Sequence, residues 1–197
     1  MAVIHILVEG QLDEAVAVRL IAYTGHEFGV SYGKQGVGYI KNKIGAFNAA
    51  SKGAIYLALV DLMDTSYPCP SEAMANWLPQ RQPNMIFRFV IREIESWLLA
   101  DRAALASFLS VDPKAMPDDV ERLPDPKRTL INIARKSRSR NIKTSLVPSA
   151  NSTAQEGIFY TSELIRFVQQ ELDVERACSN AVSLQRCVAK LTGIVEN

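Results

Sequence analysis

The sequence predicts an α/β protein, a four-stranded and mainly parallel sheet with helices on both faces, followed by a helical extension. Three observations carry this expectation. Short β-branched or wholly apolar runs alternate with helix-spaced stretches through the first 110 residues, and parallel neighbours need such crossover connections. One run, Ala54 to Val60, is apolar throughout, as a central strand buried on both faces requires. Beyond residue 110, Pro113, Pro117, Pro124 and Pro126 punctuate a remainder with helical spacing, which places an α/β core at 1–110 and an extension packed on it at 111–197.

Each element follows in order. VIHILV at 3–8 is the first strand, ending at Glu9-Gly10, and LDEAVAVRLIAY then sets Ala15, Val16, Leu20 and Ile21 on one helical face. Asp13 and Glu14 fall in the first turn, where acidic side chains favour the helix dipole. Glu27 to Tyr32 form a short second strand and Ile40 to Ser51 a helix stopped by Gly53, with Gly33, Gly36 and Gly38 making a flexible link between them. The third strand is 54–60, followed by a helix from Ser71, its cap, to Leu78. The fourth strand is Met85 to Arg92. ESWLLADRAALASFL then forms one helix from Glu95, with Trp97, Leu98, Leu99, Leu105 and Leu109 in the core. Further helices are expected around 127–137, 161–172 and 180–191.

Composition excludes several classes. With 48% hydrophobic and 22% charged residues, the chain is neither disordered nor fibrous. The longest apolar run, Ala54 to Val60, falls far short of the ~18 residues a membrane span needs, and the amino terminus lacks the basic region of a signal peptide. A cytoplasmic protein with no membrane partner is the expectation. Cys69, Cys178 and Cys187 lie far apart without a CxxC pair, and His5 and His26 are the two histidines. A His/Cys zinc centre and a Cys/His nucleophile set are thereby excluded, and metal chemistry must rest on carboxylates, which favour hard ions.

Ligands of an open parallel sheet gather outside the carboxyl ends of its strands. Glu9 follows the first strand, Asp61 and Asp64 the third, and Glu93 and Glu95 the fourth. Carboxylates brought together repel and raise one another's pKa, a cost that a divalent cation removes. Mg²⁺ or Mn²⁺ is the expected cofactor, with Glu9, Asp61, Asp64 and Glu95 as ligands.

These residues resemble a known family. The order of a strand with Glu-Gly and an apolar strand with an Asp pair looks like the Toprim domain of topoisomerases, primases and overcoming-lysogenization-defect nucleases. LVEG, LVDLMD, REIESWLLAD and PDPKR together resemble, over most of the chain, a Toprim-like bacterial family classed as a domain of unknown function. The resemblance implies a Toprim-like (Rossmann-like) sheet and Mg²⁺-dependent phosphodiester chemistry, with Glu9 as the acid/base and Asp61 as the first metal aspartate. Asp61 and Asp64 stand three residues apart where the family has two, so both reach one cation only if the strand ends at Asp61 and the loop turns back. The same spacing counts against a phosphatase of the haloacid-dehalogenase type.

Charge adds a partner. Lys127, Arg128, Arg135, Lys136, Arg138, Arg140 and Lys143 occur without an intervening acid, leaving 15 basic against 21 acidic residues elsewhere. Such a segment suits the phosphate backbone of nucleic acid. Lacking interleaved aromatics, it would follow charge and not read bases. Lys127 and Arg128, after two prolines, read as a phosphate clamp; Arg135, Arg138 and Arg140, with Gly10 and Glu93 beside the acidic edge, complete the candidate substrate-binding set. The expectation is a metal-dependent nuclease or other phosphodiester-processing enzyme, with a non-catalytic nucleic-acid- or protein-binding module as the alternative.

Overall fold

The structure is a computed structural model and describes residues 1–195. Its elements run β1 (Val3–Val8), α1 (Gln11–Tyr23), β2 (Glu27–Gly33), α2 (Gly36–Ala50), β3 (Ile55–Asp61), α3 (Pro70–Trp77), β4 (Met85–Val90), α4 (Ile94–Ala100), α5 (Arg102–Phe108), α6 (Pro126–Ala134), α7 (Arg140–Leu146), α8 (Tyr160–Gln170), α9 (Val174–Cys178) and α10 (Val182–Thr192). They fall into two compact units, Met1–Ile91 with the segment from Ser183 onward, and Arg92–Val182.

The first unit is the parallel sheet, in the order β2-β1-β3-β4, with every neighbouring pair parallel. Alternation along the strands divides its core. Leu7, Ala58, Val60, Phe87 and Phe89 pack with Ile40 and Ile44 of α2 and Ala73 of α3, while the intervening Ile4, Ile6, Leu57, Leu59 and Ile86 are buried on the opposite side. Burial of each such side chain contributes ~1.5–3 kcal/mol. His5 stands at an irregularity in the β1–β2 pairing, where its Nδ1 accepts a hydrogen bond from Val30 N–H at 3.0 Å. A Cβ on Gly29 would lie 2.6 Å from that nitrogen, so the strand needs glycine there.

The link expected to be flexible is pinned. Gly33, Lys34 and Gly36 all have positive φ, at 97°, 60° and 75°, which wraps the chain back onto β1. Lys34 N–H donates to Val8 O at 2.8 Å and Gly36 N–H to Glu9 O at 3.1 Å. A Cβ on Gly33 would meet Val8 O at 2.2 Å. Because Gly36 opens α2, the helix starts four residues before Ile40, its apolar turns outweighing the low propensity of Gly36 and Gly38. α3 likewise starts at Pro70 with Cys69 in the cap position in place of Ser71, since proline is preorganised for a first helical position.

The second unit holds α4 to α9. The helix expected over Glu95 to Leu109 is two helices, broken at Asp101. Asp101 is fully buried and accepts from Ala104 N–H, from Asp173 N–H at 2.8 Å, and from Arg176 Nε and Nη2 at 3.0 and 3.1 Å. This clamp ties α4 and α5 to α9, so the division between the units falls after Ile91 and not where proline enters at 110. Trp97 is buried in the core of this unit. No helix among the described residues is long and apolar enough to cross a membrane.

Candidate functional site

In the first unit, register brings the acids together. Leu7 of β1 pairs with Ala58 of β3, so Glu9 arrives level with the end of β3, and its Oε1 accepts from Asp61 N–H at 2.8 Å. β3 ends at Asp61, and a single 3-10 turn, Leu62–Asp64, follows. Thr65 closes that turn, its N–H and hydroxyl both donating to Leu62 O, at 3.1 and 2.8 Å. The turn brings Asp64 near enough for its charge to act on Glu9. The three-residue spacing is thus compatible with convergence, because the second aspartate comes from a turn and not from the strand.

Asp13 completes the cluster. It caps α1 by accepting Gly10 N–H through Oδ2 at 3.1 Å, as its first-turn position predicts, yet it is buried and its Oδ1 accepts no hydrogen bond. A Cβ on Gly10 would stand 3.2 Å from Asp13 Oδ2, so the glycine leaves room for the carboxylate. Burial, partly offset by the Asp61 N–H and reinforced by the charges of Asp64 and Asp13, pushes Glu9 up to about 8. Burial, with the charge of Asp64 adding to it, pushes Asp13 up to about 6. Sequence reasoning assigned Asp13 to the helix dipole alone; the signal for its second role is its place three residues after the strand-end glycine, which turns it back over Glu9.

Glu93 and Glu95 belong to the second unit, where each has a partner. Glu93 Oε2 accepts from Lys127 N–H at 3.0 Å. Glu95 is buried, and its Oε1 accepts from Tyr160 OH at 2.9 Å. Burial, with the charge of Glu93 adding and the charge of Lys127 and the Tyr160 hydrogen bond opposing, pushes Glu95 up to about 7. Burial and the charge of Glu95 push the Tyr160 phenol well above its usual range. Lys127 pairs with Glu156 and its Nζ lies 5.0 Å from the centre of the Tyr160 ring. Its ammonium is therefore committed inside the unit, whereas the sequence reading had it free to clamp a phosphate.

The other basic candidates separate. Arg128, Asn132 and Arg135 fall on one face of α6 by their spacing and line a cavity of about 500 Å³ with Glu93, Asp125 and Gln155. Arg138 and Arg140 are exposed and line neither this cavity nor the adjoining one.

A parallel α/β sheet with crowded carboxyls at the carboxyl ends of two adjacent central strands is the class that fold and site define. No family model, curated protein or solved structure matches the chain.

Proposed function

We propose that the protein is a Toprim-like, metal-dependent enzyme that cleaves or otherwise processes phosphodiester bonds of nucleic acid, with Mg²⁺ or Mn²⁺ held by Glu9, Asp61 and Asp64 and supported by Asp13. The observation that carries this reading is Glu9 held by the Asp61 N–H at the end of β3, with the charges of Asp64 and Asp13 acting on it. A carboxyl raised by burial and by neighbouring carboxylates favours its protonated form, and a divalent cation with oxygen ligands would substitute for that proton. Among the described residues, no three His, Cys, Asp or Glu side chains are already spaced as a metal cage. Cation entry therefore requires Glu9 to give up its proton and the side chains to draw inward.

When bound, the ion would polarise a phosphoryl oxygen and lower the pKa of a water. Glu9, held by the Asp61 amide, would give up its proton and join Asp61 and Asp64 in holding the ion. The test is cleavage of single- and double-stranded DNA and RNA with Mg²⁺ or Mn²⁺ by the wild type, Glu9→Gln and Asp61→Asn. Wild-type cutting that both variants lose supports the reading; a wild type that cuts nothing overturns it. The absence of a ready cage among the described residues favours one second reading, a non-catalytic module that binds nucleic acid or a protein on the same scaffold. That reading expects tight nucleic-acid binding, insensitive to divalent ions and to Glu9→Gln.

A further inference from the structure

Two cavities in the second unit share Arg135, Pro148 and Ala154 as lining residues, so they form one continuous groove. The first, of about 500 Å³, carries Arg128 and Arg135; the second, of about 710 Å³, adds Lys143 and Ile158. The acids along the same walls are already engaged. Asp125 Oδ1 accepts from Arg128 N–H at 2.7 Å, Glu93 Oε2 from Lys127 N–H, and Glu156 pairs with Lys127. Among the described residues, none of the Arg128, Arg135 and Lys143 side chains pairs with a carboxylate.

The groove thus presents three cations without a carboxylate partner, beside acids that each accept from the backbone or pair with Lys127. Apolar side chains line the same cavities, Ile131 in the first and Val147, Pro148 and Ile158 in the second. Ile158 is 84% exposed, which leaves its side chain open to a partner. Cationic and apolar side chains in one groove suit a chain that carries phosphates beside flat, apolar-faced bases. A duplex keeps its bases stacked inside and offers the apolar side chains of the groove nothing to contact.

We infer that this groove binds a single strand of nucleic acid, with phosphates on Arg128, Arg135 and Lys143 and sugar or base surfaces against Ile131, Pro148 and Ile158. The inference rests on the reading of nucleic acid as the substrate class and is independent of the metal centre. It also separates residues that the sequence treats alike, since Arg138 carries the same charge in the same segment but lies outside both cavities.

The experiment uses the full chain in EDTA, so that binding is read without cleavage, with a labelled oligothymidylate and a hairpin duplex as probes across a salt series. Arg135→Glu, which alters both cavities, is expected to weaken oligothymidylate binding at least tenfold and to flatten the salt dependence by about 0.7 per lost phosphate contact. Arg138→Glu should cost less than a third of that. Ile158→Asp, on an exposed side chain that leaves folding intact, should weaken the single strand more than the duplex, while Lys114→Glu serves as a remote charge control. Circular dichroism checks each variant's fold. Equal losses for Arg135→Glu and Arg138→Glu, or a duplex bound as tightly as the single strand, would overturn the groove. Cleavage that fails while the groove variants behave as expected removes the enzymatic reading alone; cleavage that survives Arg135→Glu with unchanged KM removes the groove alone.

Discussion

The two units handle buried carboxyls in opposite ways. In the second, each acid meets dedicated donors: Asp101 takes two backbone N–H groups and the Arg176 guanidinium, and Glu95 takes the Tyr160 hydroxyl. In the first, Glu9 takes one backbone N–H but faces the charges of Asp64 and Asp13, and Asp13 keeps an oxygen without a hydrogen bond. Satisfied buried acids hold a fold together, whereas unsatisfied neighbouring acids store repulsion that a ligand can relieve. On the proposed reading, the carboxyls of the second unit serve structure and those of the first serve chemistry.

The largest expected effect sharpens that contrast on the chemical side. Glu9→Gln should lower Mg²⁺-dependent cleavage by about 10²–10⁴-fold while leaving the fold intact in circular dichroism; a variant that cuts as fast as wild type would remove Glu9 from the reaction. Next is Asp101→Ala, which strips four donors of their acceptor. It should cost about 1–3 kcal/mol in urea unfolding, and a loss below ~0.5 kcal/mol would show that the clamp contributes little.

Stability should respond to pH through Glu95. Its pKa is raised from 4.5 to about 7 in the folded protein, so between these values the native state binds more protons than the unfolded chain. Stability is full below pH 4.5, falls as pH rises through 7, and is level beyond it, a loss on the order of 3 kcal/mol at most. Glu95→Gln should flatten this slope in denaturation midpoints measured from pH 5 to pH 8. A slope unchanged by the substitution would mean that other groups set it. Smaller again, millimolar Mg²⁺ at pH 8 should raise Tm by about 2–4 °C in the wild type and by none in Glu9→Gln. Equal shifts in both would place the cation elsewhere.

Legibility in the sequence followed the range of the forces involved. VIHILV, AIYLALV and MIFRFV are legible as strands because burial on both faces selects apolar residues at most positions, His5 and Arg88 being the polar exceptions. Glu9 and Asp61 are legible as neighbours because parallel strands deliver their ends to one edge. The break at Asp101 is not legible, since the groups that hold it, Asp173 and Arg176, lie 72 and 75 residues downstream. The commitment of Lys127 escapes notice for the same reason: Glu156 and Tyr160 meet it only in the folded chain. α7 and α9, at seven and five residues, are too short to carry a clear period of their own. They are stabilised by tertiary contact and by Ser139 and Asp173 at their caps. Asp13 stands between these cases, because a local capping role hides its approach to Glu9.

The main-chain N–H of Asp61 donates to the Glu9 carboxyl, which makes one backbone amide a natural gauge of the state of the whole acidic edge. Its proton resonance should move when Glu9 gains or loses charge and move again when an ion displaces that proton. Occupancy and ionisation are therefore readable from a single signal, with no substrate, no label and no turnover.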